Sequence, residues 1–183
     1  MVWIWIVVGI AALIVFILFW YYNRFAVLEN RIENSLSQIN VQLKRRADLI
    51  PNLIESVKGY MKHEKTLIQS VNDARKALVS ARGVGEKVKA DKKLEGFLGR
   101  LFAIAENYPD LKANTNFLEL QRELSTTEDR IAYARQYYND SILTYNNLYA
   151  TFPGKFFAQL YGKKRKEFLQ ITEAEKKNVK VEF

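Results

Sequence analysis

His63, the only histidine in the sequence, stands between Lys62 and Glu64, and a lone imidazole narrows the available chemistry. Carboxylate-bridged metal sites in helical bundles draw on two Glu-x-x-His pairs, and the residue three before His63 is Tyr60. The hydroxyls of Ser35, Ser56, Ser70 and Ser141 have no other imidazole to act as base, and none lies in a G-x-S-x-G turn. No G-x-x-x-x-G-K-S/T or G-x-G-x-x-G stretch offers a phosphate cradle, since Gly83-Val84-Gly85 runs on into Glu86-Lys87. The absence of cysteine removes disulfides, thiolate metal ligands, thiol nucleophiles and lipid attachment through sulfur. Glu128-Asp129 and the Glu173, Glu175 pair read as solvated charges on polar faces. These residue types predict a protein that is not an enzyme, with no catalytic, metal or cofactor site and no small-molecule substrate.

Charge points elsewhere. Against 20 acidic residues stand 28 basic ones, a formal +8, and all of it follows Arg24, the first charged residue. A surface of this sign favours anionic partners. The cations are dispersed among Glu and Asp rather than gathered on one stripe, which argues against nucleic acid. The run Lys44-Arg45-Arg46 reads as a helix end, where cations complement the dipole.

From Val2 to Asn23 the chain is uncharged. These roughly 22 residues form a helix about 33 Å long, against a hydrocarbon core of about 30 Å. Trp3 and Trp5 lie at one end and Trp20, Tyr21 and Tyr22 at the other, followed by Arg24. Amphipathic rings prefer those two levels of a bilayer, and these six residues are the expected membrane-interface set. A secretory signal would show a basic start and a small-residue cleavage site; neither is present, so residues 1–23 are expected to stay as a single-pass anchor. With no Lys or Arg before the anchor and Arg24, Arg31, Lys44, Arg45 and Arg46 after it, the rest of the chain is expected in the cytoplasm.

Beyond the anchor, apolar residues recur every three or four positions, at Leu28, Ile32, Leu36, Ile39 and Leu43. A second stripe runs from Ile50 through Val57, Met61 and Ile68 to Leu78. Asp48 and Pro51 are compatible with a helix start, but the stripe keeps phase through Ala47, so one long helix with a proline in it is the rival. Gly83 to Gly85 is a turn, and a helix is expected over 86–106. Asn107-Tyr108-Pro109-Asp110 breaks it, and a last long helix runs from about Phe117 to before Phe152-Pro153-Gly154. The prediction is an all-α protein: an N-terminal transmembrane helix followed by an antiparallel up-and-down bundle over 24–154 with coiled-coil-like spacing. Its last helix carries Asn139, Asp140 and Asn146 at interior positions, where such residues bond to neighbouring backbone, to another helix or across a subunit boundary.

Residues 155–183 form a basic aromatic C-terminal segment. Phe156, Phe157, Tyr161, Lys163, Lys164, Arg165 and Lys166 are candidate lipid contacts, with a cap on the bundle end as the equal alternative. Arg45, Arg46, Asn139, Asp140 and Asn146 are candidate partner contacts.

Three stretches carry a family resemblance: Asn30 to Tyr60 with RRADLIPNL, Leu101 to Leu124 with AENYPDLKAN, and Ile131 to Gly162 with YND and FPG. With the leading anchor they make the chain similar to the LemA family of bacterial membrane proteins. The resemblance implies an N-terminal transmembrane helix, an antiparallel helical bundle and a place in the bacterial cell membrane, without an established catalytic activity. Residues and resemblance together predict a non-catalytic scaffold or protein-interaction module that self-associates at that membrane, with other membrane proteins as further partners. A peripheral lipid-binding organiser using the C-terminal segment is the alternative.

Overall fold

The computed structural model describes residues 1–169, so 170–183, with Glu173 and Glu175, lie outside the described residues. Within the described residues the chain is all-α, in six helices: α1 Val2–Lys58, α2 Lys65–Ser80, α3 Val84–Ala105, α4 Pro109–Lys112, α5 Thr115–Ala150 and α6 Gly154–Leu160. They fall into two compact units. One comprises Leu36–Arg135, and the other comprises Met1–Ser35 with residues 136–169.

In the Leu36–Arg135 unit, α1, α2, α3 and α5 form the expected antiparallel bundle. Leu43 and Ala47 border Leu78 and Val79, whereas Ile54 borders Ile68, so α2 runs against α1. Asn40 meets Lys87 and Arg46 meets Asp91, so α3 runs with α1. Arg45 meets Glu123 while Tyr60 meets Asn114, which sets α5 against α1. The buried stripe Ile39, Leu43, Ala47, Ile50, Leu53 and Val57 packs with Val71, Leu78, Leu94, Leu98, Leu101, Leu124 and Ile131 from the other three helices.

The choice left open at Pro51 resolves in favour of one helix, because α1 passes through it. Asp48 is therefore mid-helix, paired with Lys44 at 2.9 Å rather than capping a start. The break comes later, at Gly59 to Glu64, inside the stretch expected to be continuous. Met61 keeps the apolar phase because its side chain, fully buried, closes the bundle end from within the turn. Asn114 caps α5, its Oδ1 accepting from the N–H of Phe117 at 3.1 Å.

In the other unit, Phe25, Leu28 and Ile32 of α1 pack against Ile142 and Tyr145 of α5 and against Phe157 and Ala158 of α6. α6 ends in a Schellman turn: Gly162 takes φ +62°, its N–H reaches the carbonyl of Gln159 at 3.1 Å, and the N–H of Lys163 reaches that of Ala158 at 2.9 Å. The positive φ is what requires glycine there, and it turns the chain back along α5 as an extended strap over residues 163–169.

Candidate functional site

Two places gather the residues singled out by type. The first is where α6 meets the apolar start of α1. Most side chains from Val2 to Phe16 are exposed, and no residue of the most apolar window is buried by protein, unlike a core helix. From Ile17 on, the helix acquires neighbours. Tyr21 stacks on Phe157 with centroids 4.2 Å apart, and Tyr22 meets Tyr161 edge to face at 5.6 Å. The Tyr161 hydroxyl donates to the carbonyl of Leu18 at 2.6 Å. Cleavage near Asn23 would remove the contacts that Leu18, Tyr21 and Tyr22 make with α6. Trp3, Trp5, Trp20, Tyr22 and Arg24 are exposed, whereas Tyr21 is half-buried under Phe157.

The candidate lipid contacts divide. Phe157 is buried and Tyr161 half-buried against α1, and Lys163 pairs with Glu29 at 2.7 Å. Lys166 lies over the Tyr145 ring at 5.7 Å, while Phe156, Lys164 and Arg165 are exposed. Glu29 also accepts from the Tyr145 hydroxyl at 3.4 Å, and burial, helped by that carboxylate, pushes the Tyr145 phenol up to about 12.

Asn139 and Asn146 hold the strap. The Asn146 amide donates to the carbonyl of Lys166 at 2.9 Å and its Oδ1 accepts from the same residue's N–H at 3.0 Å; Asn139 repeats the pattern at Leu169, at 3.3 and 3.0 Å. Seven residues of helix rise about 10.5 Å and three extended residues cover about 10 Å, so two amides seven apart match strap residues three apart. Asp140, between them, is exposed.

The second place is in the bundle. Arg46, only 2 % exposed, lies mid-helix rather than at a helix end. It pairs with Asp91 at 2.6 Å and with Glu128, so Glu128 is not the solvated charge its sequence position suggests. Burial pushes the Asp91 carboxyl above the usual carboxylate range, against the pull of Arg46 and Arg135. Arg45 is exposed and pairs with Glu123 at 2.7 Å. His63 stands exposed in the turn after α1. Between α1 and α5 an open groove of about 610 Å³ is lined by Gln38, Val41, Gln42, Asp129, Arg130 and Tyr133, among others. Val41 is 58 % and Tyr133 71 % exposed, and the buried Oε1 of Gln42 accepts no hydrogen bond among the described residues. Sequence reasoning missed this groove, because Val41 and Tyr133 lie off the apolar stripes used to find the core.

A profile of the LemA family matches residues 35–183, which contain all three stretches except residues 30–34 of the first. The chain belongs to the LemA family. Two curated relatives show its breadth. The magnetosome protein MamQ of Magnetospirillum gryphiswaldense is 27 % identical across 88 % of this chain and 70 % of its own length. Protein LemA of Metamycoplasma hominis is 27 % identical across 82 % and 69 %. LemA membership and the long apolar N-terminal helix together make this a membrane-associated helical protein. In LemA motif terms, RRADLIPNL holds the buried Arg46 and the exposed Pro51, AENYPDLKAN forms the link from α3 to α5, and FPG opens α6.

Proposed function

We propose that this LemA-family chain is a non-catalytic scaffold of the bacterial cell membrane, which self-associates through the α1/α5 groove of its bundle. The groove carries the reading: two exposed apolar side chains, Val41 and Tyr133, stand beside an adjacent anion and cation, Asp129 and Arg130. Such a surface is self-complementary, since a two-fold axis sets Asp129 of one copy against Arg130 of another and Val41 against Tyr133. The ionic centre deeper in the bundle supports the same reading, because Arg46 engages Asp91 and Glu128 rather than facing a substrate.

Mass measurement of the full chain in mild detergent tests this. The reading expects a discrete oligomer, reduced to monomer by Val41→Glu or Tyr133→Glu, both at exposed positions where folding survives. A strictly monomeric unaltered chain overturns it. The same reading puts the bundle on the cytoplasmic side, supported by the cations that follow the anchor. His63→Cys, the sole thiol of such a variant, is expected to resist a membrane-impermeant maleimide applied to intact cells; rapid labelling refutes that orientation.

A further inference from the structure

We propose that α6 and the turns flanking it form a second membrane contact, a hairpin seated in the headgroup and acyl boundary of an anionic bilayer beside the anchor. The proposal rests on the reading of residues 2–23 as a membrane span. Its basis is depth: the Tyr161 hydroxyl is bonded to the carbonyl of Leu18, which lies about 8 Å back along the helix from Asn23 and so within the apolar run. Phe157 is stacked on Tyr21 and Tyr161 against Tyr22, in the interfacial aromatic belt of the anchor. Whatever level the anchor fixes for Leu18 to Tyr22, α6 shares it.

At that level α6 is two-faced. Gly154, Phe157, Ala158 and Tyr161 turn towards α1 and α5. Spaced by four, Phe156 and Leu160 fall on the other side, 59 % and 56 % exposed, and Phe152, in the turn just before the helix, is 90 % exposed. In water, three large apolar side chains on one short element would be unfavourable; at the boundary they meet acyl chains. The exposed cations Lys155, Lys164 and Arg165 flank them. Each cation held near an anionic leaflet favours occupancy about fivefold. Lys163 and Lys166, which the sequence groups with these two, bind Glu29 and the Tyr145 ring. The glue to the anchor and the lipid face are therefore different residues of one segment.

Because the chain has no cysteine, single probes report cleanly. Bimane is attached to the full chain at Phe156→Cys or Leu160→Cys, with Val8→Cys marking the anchor and Lys76→Cys marking α2, and read in vesicles containing doxyl-labelled lipid. Positions 156 and 160 are expected to be quenched by shallow doxyl groups several-fold more than position 76. Quenching should fall several-fold on replacing anionic by zwitterionic lipid, or on changing Lys155, Lys164 and Arg165 together to Gln. If 156 and 160 behave like 76 while 8 is quenched, the hairpin proposal fails and the anchor stands. If 8 is not quenched either, the membrane-span reading itself fails. Shielding of 156 and 160 from lipid and from aqueous iodide alike would reveal a protein partner instead and also overturn the proposal, as would indifference to lipid charge.

Discussion

Arg75 gives Ala47 the hydrogen bond that Pro51 cannot: its Nε donates to the Ala47 carbonyl at 2.8 Å, from α2 across to α1. In an uninterrupted helix the N–H of residue 51 would make that bond, and proline has none. Ala47 is buried, so without Arg75 the carbonyl would be an unsatisfied acceptor in the core. The proline and the arginine are thus one device, which lets α1 continue while fixing the register of α2.

Their coupling is measurable. Arg75→Ala is expected to cost about 1–3 kcal/mol, the penalty of a stranded buried acceptor. In a Pro51→Ala background, where the helix supplies its own N–H, the same change is expected to cost under about 1 kcal/mol. Denaturant or thermal unfolding of the four proteins closes the cycle, and additive costs would show that the bond is incidental.

The ionic centre behaves differently when halved and when replaced. Asp91→Ala leaves Arg46 enclosed with Glu128 alone, and a loss of about 3–5 kcal/mol is expected. Replacing Arg46, Asp91 and Glu128 together by Met, Leu and Gln should recover most of that stability, since an uncharged set avoids desolvating the charges. Equal melting losses in the single and triple variants would contradict this.

Gly154 meets α5 closely enough to forbid a side chain. A Cβ there would stand 2.1 Å from the carbonyl oxygen of Leu148, whereas one at Gly99 meets nothing within 4 Å. Gly154→Ala is expected to destabilise by about 1–3 kcal/mol or to unseat α6, and Gly99→Ala, inside α3, to be neutral or stabilising by up to about 1 kcal/mol. A melting temperature lowered equally by both would remove the contact as the cause.

Tyr145 predicts an alkaline limb to stability. Its phenol is pushed up to about 12 in the folded chain, so between about pH 10 and 12 the native state holds a proton that the unfolded state has released. Stability then falls as pH rises through that window, by at most about 1.4 kcal/mol per unit from this group. Unfolding midpoints across the window should show the slope, and Tyr145→Phe should reduce it.

Much of this architecture was legible in the sequence, for identifiable reasons. The anchor and the long helices are written in uncharged length and in apolar residues three and four apart. Proline alone cannot distinguish a helix that ends from one repaired by Arg75, because the repair comes from another helix. The same holds at Arg46, whose sequence neighbours Lys44 and Arg45 are exposed while its partners lie 45 and 82 positions on. The break at Gly59 stayed hidden because Met61, buried in the turn, preserves the period. Asn139 and Asn146 were conspicuous as polar residues in a helix interior, but what they hold is backbone, and no side-chain pattern announces it.

That backbone recognition adds to the hold on the strap from the Lys163–Glu29 pair and from Lys166 over the Tyr145 ring. Each asparagine makes two hydrogen bonds with the strap, worth together about 2 kcal/mol net, while Lys164, Arg165, Glu167 and Phe168 stay exposed and add little burial. Asn146→Ala should therefore raise the open population about 30-fold. Trypsin cleavage at Lys164 or Arg165 follows that population when closing outpaces cutting, so its rate should rise in proportion. Asn139→Ala, whose bonds lie nearer the end of the described strap, should accelerate cleavage less. The neighbouring Asn147→Ala, with its side chain exposed, should leave the rate unchanged. Equal rates in all three variants and the unaltered chain would mean that the asparagine bonds do not hold the strap.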